Sequence, residues 1–123
     1  MAKQYNKQIF VGNLGKDPEM RYTPSGRAVT EFMVASHDQY NNAEGETVKI
    51  TTWFKCTAWG KKAELINEYF RSGDPIHIEG KLKPGPNGSP AIWARQDGSP
   101  AADYEIMVLE FYFLPKGDHN QPA

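Results

Sequence analysis

The sequence lacks the features that are typical of secreted and membrane proteins. It contains a single cysteine, Cys56, which has no partner for an internal disulfide and indicates a reducing, cytoplasmic compartment. No segment approaches the length of about 18 consecutive apolar residues that a membrane-spanning helix needs. The N-terminus carries no apolar signal run. We therefore expect no membrane partner, and with 123 residues we expect one domain with a single core.

Residue patterns that are typical of enzymes and of metal or cofactor sites are also missing. The three histidines are scattered without metal-ligand spacing, and the run from Gly12 to Gly15 does not continue into a phosphate-binding loop. The acids at positions 17, 19, 44 and 46 lie in predicted turns without a neighbouring base or nucleophile. Cys56 has no nearby histidine, so we expect a buried thiol. We predict no enzymatic activity, no metal and no cofactor.

Positive charge is not in excess overall, but it is concentrated in two segments. The formal net charge is −1, which by itself gives no support for a nucleic-acid partner. Residues 47–63 nevertheless hold four lysines and no acid, and residues 80–96 hold two lysines and one arginine and no acid. Because the remaining chain is acidic, basic charge is segregated, as expected for a surface that binds a polyanion.

Residues 47–59 are the most informative stretch of the sequence. They are rich in β-branched and aromatic residues and contain no glycine or proline, which predicts a strand. Side chains on a strand alternate between two faces. The even positions are mostly apolar and are predicted to face a core. The odd positions combine two tryptophans, Trp53 and Trp59, with two lysines, Lys49 and Lys55.

This combination of rings and cations has two interpretations. Both indoles could be buried in the core, because large aromatic side chains usually are buried. Two lysines on the same face argue against a core, however. Aromatic rings interleaved with ammonium groups suit single-stranded nucleic acid, whose bases stack on the rings while its phosphates meet the charges. We therefore predict a binding face on this strand.

The order of the predicted elements indicates an all-β fold with one helix. The apolar patterns predict a helix over residues 61–71 and five strands, over residues 8–14, 27–36, 47–59, 76–83 and 104–114. Five strands with a helix between the third and the fourth are the element order of an OB-fold, a five-stranded Greek-key barrel. We expect this domain to span residues 1–114 and a short polar tail to follow over residues 115–123.

The segments between these elements are predicted as connections. Residues 16–26 are interpreted as a loop, residues 38–45 as a mobile hairpin tip, and residues 84–90 as an irregular segment rich in glycine and proline. A short strand could resume over residues 91–95.

The fifth predicted strand is apolar on both faces. Met107, Leu109, Phe111 and Phe113 share one parity, and several apolar residues lie on the other. This is more apolar surface than one small core requires. We therefore expect burial between copies in a homo-oligomer.

The run from Val11 to Gly26, VGNLGKDPEMRYTPSG, closely resembles the start of bacterial-type single-stranded DNA-binding proteins, the SSB family. Shorter similarities occur at residues 53–55, 59–61 and 78–82, and the resemblance runs from about residue 7 to residue 114. It implies a cytoplasmic protein, chromosomal, phage- or plasmid-encoded, that forms a homotetramer of OB-folds or, alternatively, a dimer. Such proteins bind single-stranded DNA without reading its sequence and without catalysis, in DNA replication, recombination and repair.

The resemblance also implies which side chains contact DNA. Aromatic rings that stack on bases fall on Tyr40, Trp53, Trp59 and Trp93. The family's phosphate contacts fall on Lys7, Arg21, Lys55, Lys62, Arg71, Lys81 and Lys83. Strand alternation and charge segregation add Lys49 and Arg95 to this group.

The sequence departs from the family pattern in three places. The segment between Lys83 and Trp93 is longer than usual, and Phe54 stands where the family often has a histidine at a subunit contact. The family's acidic, aromatic tail end, which recruits repair and replication proteins, has no counterpart in residues 118–123. The resemblance therefore does not extend to such partners. The alternative function is an OB-fold accessory or protein-interaction subunit with weak nucleic-acid binding, which the acidic remainder of the chain would suit.

Overall fold

A computed structural model describes residues 5–115 of the chain. The tail expected at residues 115–123 lies outside this range except for its first residue. The described chain contains eight strands and one helix, in the order β1 (Gln8–Leu14), β2 (Glu19–Tyr22), β3 (Ala28–Asn41), β4 (Thr47–Trp59), α1 (Lys61–Tyr69), β5 (Pro75–Leu82), β6 (Ile92–Ala94), β7 (Pro100–Ala102) and β8 (Tyr104–Phe113). No helix within residues 5–115 is long and apolar enough to span a bilayer.

Five of the strands close into a barrel. The hydrogen-bonded order β1-β5-β8-β4-β3 is completed by a direct pairing of β1 with β3, and β2 adds to the outer edge of β3. All pairings in this barrel are antiparallel except that of β4 with β8, which is parallel. The predicted OB-fold, with its helix between the third and fourth barrel strands, is confirmed.

The barrel closes where β1 changes partner. Residues 8–13 of β1 pair with β5, whereas Asn13 and Leu14 pair with Ala35 and Val34 of β3. A Cβ atom on Gly12 would collide with the carbonyl oxygen of Ala35 and with the Val34 side chain. Gly12 therefore allows two backbones to approach at the point of closure.

The core fills the barrel and is covered by the helix. Thr30 is completely buried, and its hydroxyl donates a hydrogen bond of 2.7 Å to the carbonyl of Ala63 in α1. The buried apolar cluster joins strands and helix and consists of Leu14, Ala28, Phe32, Val34, Cys56, Ala58, Ala63, Ile66, Phe70, Ile76, Ile78, Ile106 and Phe111. Burial raises the pKa of the Cys56 thiol well above its ordinary value, so the thiol is protonated and inert.

Three predicted boundaries were wrong. Residues 19–22, interpreted as loop, form β2, because they pair in register with residues 28–31 of β3. The predicted tip at residues 38–45 is strand as far as Asn41, and the connecting loop is confined to residues 42–46. The helix ends at Tyr69 rather than at residue 71, because Phe70 is extended and turns its ring into the core.

Strand alternation also failed at two strand ends. Ile50, predicted to face the core, is 44% exposed, and Leu82 is 41% exposed. Ile50 lies where β4 extends beyond its pairing with β8, which begins at Phe54, so its apolar parity has no core behind it. Leu82 is the last residue of β5 and lies beyond the end of the pairing of β5 with β1 at Gly80.

The two-faced pattern of β8 has a different explanation. The register against β5 shifts between Glu79 and Gly80, so that Gly80 pairs with Val108 and Glu79 with Glu110. Leu109 is the extra residue of this bulge, and side-chain parity reverses across it. Ile106 and Phe111 therefore both point inward, although the sequence places them on opposite faces.

Candidate nucleic-acid interface

The two tryptophans of β4 project from the outside of the barrel. Trp53 is 46% exposed and Trp59 is 37% exposed, while Cys56 and Ala58 of the same strand are buried. Strand alternation puts the side chain of Lys55 on the tryptophans' side of the strand. We call the outward side chains of residues 28–36 and 52–59 the wall face, and the hairpin that continues beyond them, residues 37–51, the arm.

The indole of Trp53 rests against the start of the loop that follows β1. A Cβ atom on Gly15 would lie 2.5 Å from the Cζ3 atom and 2.8 Å from the Cη2 atom of the Trp53 ring. Behind the ring, Ala35 of β3 is the cross-strand partner of Trp53 and is 6% exposed. Two small residues, Gly15 and Ala35, thus lie next to the indole, and nearly half of its surface stays exposed.

A cation lies over the indole of Trp59. The guanidinium carbon of Arg27 lies 4.6 Å from the centroid of the ring, which is cation–π geometry. Arg27 was not predicted as a site residue, because it lies at the start of a different predicted strand and shares no periodicity with Trp59. Only the pairing of Val29 with Trp59 in the β3–β4 register brings it there.

Three of the predicted phosphate ligands surround one acid. Glu31 of β3 forms an ion pair with Arg21 of β2, and its other oxygen lies 4.0 Å from the Lys55 ammonium. The hydrogen bond from Arg21 lowers the pKa of the Glu31 carboxyl, and the charges of Arg21, Lys55 and Lys83 act in the same direction. Glu31 was also not predicted.

Three other predicted cations already have partners within the described chain. Lys7 pairs with Glu79 at 2.8 Å, and this contact raises the pKa of the lysine and lowers that of the acid. Arg71 donates hydrogen bonds of 2.6 Å to the carbonyls of Asn67 and Phe70 at the end of α1. Arg95 donates 2.8 Å to the carbonyl of Pro100, which ties together the β6–β7 hairpin.

The remaining predicted cations differ in exposure. Lys49 lies on the arm, opposite Gln39, and is exposed. Lys81 and Lys83 are also exposed and line an open cavity of about 750 Å³ between β5 and the start of β8. Lys62 is half-buried in the first turn of α1. These four lysines form no ion pair with an acid among residues 5–115.

The other two predicted rings lie outside the wall face. Tyr40 is 52% exposed in β3, and its partner in the arm is Val48. Strand alternation therefore puts Tyr40 on the opposite side of the arm from Lys49. Trp93 is 50% exposed in β6, and its indole N–H donates 3.3 Å to the Asp103 carboxylate, which lines the cavity next to Lys83.

The described residues contain no grouping that would hold a metal ion. Nowhere in residues 5–115 do three or more histidine, cysteine or acidic side chains come together in a suitable cluster. The exposed rings and cations are therefore the chemically distinctive feature of this surface. Planar faces and positive charges together can bind unpaired bases and phosphates.

Comparison with known proteins gives consistent relatives. The model of the single-strand binding protein family matches residues 5–114. Single-stranded DNA-binding proteins from Neisseria meningitidis serogroup A and serogroup B are each 33% identical over 115 residues. These matches cover 94% of this chain but 63% of each relative, so the chain spans less than two thirds of their length.

Solved structures share the fold. A deletion mutant of the single-stranded DNA-binding protein from Thermus aquaticus superposes with a TM-score of 0.71 at 23% identity, over 93% of this chain and 52% of that one. The Plasmodium falciparum SSB in complex with ssDNA superposes with a TM-score of 0.75 at 22% identity, over 93% of this chain and 98% of that one. The family match over residues 5–114 shows that this chain belongs to the single-strand binding protein family.

Proposed function

We propose that this protein binds and protects single-stranded DNA, without sequence preference and without catalysis, in replication, recombination and repair. The observation that carries the proposal is the outward position of Trp53 and Trp59 beside Lys55 on the wall face. Membership of a family whose named relatives are single-stranded DNA-binding proteins supports it. The bacterial relatives also support a bacterial cytoplasmic location.

Binding on this surface would combine two physical terms. A base stacked on an aromatic ring contributes roughly 1–3 kcal/mol, and every base has a flat face, so sequence has little influence. Lysine and arginine side chains displace counterions from the phosphates, so affinity falls as salt concentration rises. Paired bases hide their faces inside a duplex, so selection for single strands follows from the stacking term.

The roles of individual residues follow from their surroundings. Trp53 and Trp59 are the central stacking rings, and Tyr40 and Trp93 extend the path along the arm and the β6–β7 hairpin. Lys49, Lys62, Lys81 and Lys83 would contact phosphates without first breaking an ion pair. Lys7, Arg21, Lys55, Arg71 and Arg95 would have to exchange or share their present partners.

The test is a fluorescence titration of oligo-dT, oligo-U and duplex DNA with the wild type and Trp53→Ala. We expect oligo-dT to quench tryptophan emission, and the substitution to weaken binding by about 1–3 kcal/mol while leaving the melting temperature nearly unchanged. Tyr69→Ala is the control for loss of an exposed ring, because Tyr69 is 54% exposed at the end of α1 and its ring packs edge-on against Phe113 of β8.

The titration also distinguishes the alternative function. Absence of quenching at saturating oligo-dT, or unchanged binding by folded Trp53→Ala, would contradict the stacking role. Weak binding of all three ligands at low salt would favour a protein-interaction or accessory subunit instead.

We also propose that the protein forms a homotetramer, or otherwise a dimer. Among the described strands, β1 pairs with β5 along one of its edges. Its other edge pairs with β3 only at Asn13 and Leu14 and is otherwise open. Beside this open edge the outer face is apolar, with Ile9 60%, Val11 51% and Tyr112 49% exposed. A second copy would satisfy the edge and bury these side chains. Light scattering tests this proposal, and a monomer at every concentration would contradict it.

A further inference from the structure

Glu31 occupies an unexpected position for an acid on a surface that binds a polyanion. It lies in the middle of the wall face, opposite Thr57 of β4 and Glu19 of β2. Its side chain is 31% exposed, so it is partly desolvated. A carboxylate at this place would repel an approaching phosphate unless the local cations offset its charge.

The contacts of Glu31 are divided between its two oxygens. Oε1 accepts a hydrogen bond from the Nη1 atom of Arg21, and Oε2 lies 4.0 Å from the Nζ atom of Lys55. Each oxygen therefore serves one cation. The two non-bridging oxygens of a phosphodiester could serve the same two cations, because guanidinium and ammonium groups bind carboxylate and phosphate oxygens by the same charge-assisted hydrogen bonds.

We propose that the Glu31 carboxylate occupies a phosphate subsite of the wall face and competes with DNA for Arg21 and Lys55. The inference rests on the proposed function. When a strand binds, its phosphate replaces the carboxylate at one or both cations. Glu31 thereby sets the affinity of the surface and its dependence on salt.

The direction of both effects follows from counterion release. A cation that is already paired with Glu31 neutralises less of the charge of an approaching phosphate, so the DNA releases fewer of its condensed counterions. Each freed cation adds about 0.7 to the slope of log affinity against log salt concentration for a single strand. Removing the charge of Glu31 should therefore tighten binding and also steepen its salt dependence.

The experiment compares Glu31→Gln with Glu19→Gln. Glu19 is the matched control, because it is the direct cross-strand neighbour of Glu31, and the cation that it contacts is Lys16, at 3.3 Å. Both variants remove one negative charge from the same patch. Oligo-dT is titrated against the full chain at several NaCl concentrations, and thermal melting verifies that both variants fold.

We expect Glu31→Gln to bind oligo-dT about two- to tenfold more tightly at low salt, since exposed ion pairs that no longer compete are individually weak. Its salt slope should be steeper by about 0.7–1.4. Glu19→Gln should change affinity by less than about twofold and leave the slope unchanged, because exposed charge changes of this kind have small effects.

A double-mutant cycle separates competition for Arg21 from a purely structural role of Glu31, because a structural role would not couple the two substitutions in binding. If Glu31 competes for Arg21, then Arg21→Ala should weaken binding more in the Glu31→Gln background than in the wild type. If Glu31 instead orients Arg21 and Lys55 toward DNA, Glu31→Gln should weaken binding, which would overturn the proposal.

Failure of this inference is distinguishable from failure of the proposed function. Wild type that does not bind oligo-dT at low salt contradicts the function itself. Wild type that binds, with Glu31→Gln equal to Glu19→Gln in affinity and slope, contradicts only the role of Glu31.

Discussion

The same two strands, β3 and β4, build two regions with different environments. The strand segments 28–36 and 52–59 that carry the wall face form the wall, where residues such as Phe32 and Cys56 are buried and every second side chain faces the core. In the arm, the register continues without interruption from His37–Thr51 to Asn41–Thr47, yet residues on both sides are exposed. Hydrogen-bonded pairing is thus common to both regions, whereas burial depends on what lies behind the strands. The wall therefore contributes buried side chains that stabilise the fold, and the arm extends the two strands beyond the core.

The largest effect should come from removing a ring from the wall. Phe32 is 2% exposed in the core, so Phe32→Ala should lower the free energy of unfolding by about 3–5 kcal/mol. Ile50→Ala, in the arm, should lower it by less than about 1 kcal/mol, because Ile50 is 44% exposed. Urea unfolding measures both, and equal losses would remove the distinction between wall and arm.

A smaller effect should come from the contact between Gly15 and Trp53. The Cβ atom of Gly15→Ala would displace the indole, which can rotate outward at little cost to the fold. We expect binding of oligo-dT to weaken by about 1 kcal/mol, within the range of one stacked base. The melting temperature should change little.

Gly45→Ala is the control, and it should lower the melting temperature without weakening binding. Gly45 has a φ of 80° in the arm loop and contacts no ring. That substitution should strain the turn and leave the wall face intact. Unchanged binding by Gly15→Ala would show that the position of the Trp53 ring is not critical.

The smallest effect should be the loss of surface ion pairs in acid. The pKa of Glu31 is lowered by Arg21, and that of Glu79 by Lys7 and then by His77. Because the folded-state pKa lies below the unfolded value, each pair contributes its full stabilisation at pH values above the ordinary glutamate pKa of about 4.3. The contribution disappears as pH falls through the folded value. The melting-temperature difference between wild type and the Glu31→Gln, Glu79→Gln double variant should therefore shrink between neutral pH and about pH 3. A difference that stays constant over this range would contradict the assigned pairs.

Much of the wall could be predicted from the sequence, because its signals are local. Alternation across Trp53, Phe54 and Lys55 depends only on strand geometry, and the helical spacing of Ala63 and Ile66 requires no knowledge of their partners. The structure places these side chains on the expected sides, outward for the indole and inward for the helix pair. The element order was then sufficient for the fold.

The remaining features depend on register, which the sequence does not encode locally. Arg21 and Glu31 are ten positions apart, and they meet only because β2 pairs with β3 at one particular offset. The parity reversal at Leu109 requires the bulge opposite Glu79 and Gly80. The exposure of Ile50 can be predicted only when the position at which the barrel ends is known. Each of these is a property of two segments together and has no signal in either one.

The closure of the barrel has a consequence for its motions. Within residues 5–115, β1 pairs with β3 only at Asn13–Ala35 and Leu14–Val34, and a hydrogen bond of 3.0 Å from the Gly15 N–H to the Met33 carbonyl follows them, whereas β3 and β4 share thirteen residue pairs. We expect amide hydrogen exchange to be faster at this seam than along the β3–β4 ladder, because fewer bonds must break to open it. Opening there would convert the ring of strands into a curved sheet that remains continuous through β4 and β8. The pairs of β3 and β4 would stay formed during such fluctuations, whereas the indole of Trp53 would lose its neighbour Gly15, so the ring gains rotational freedom each time the seam opens.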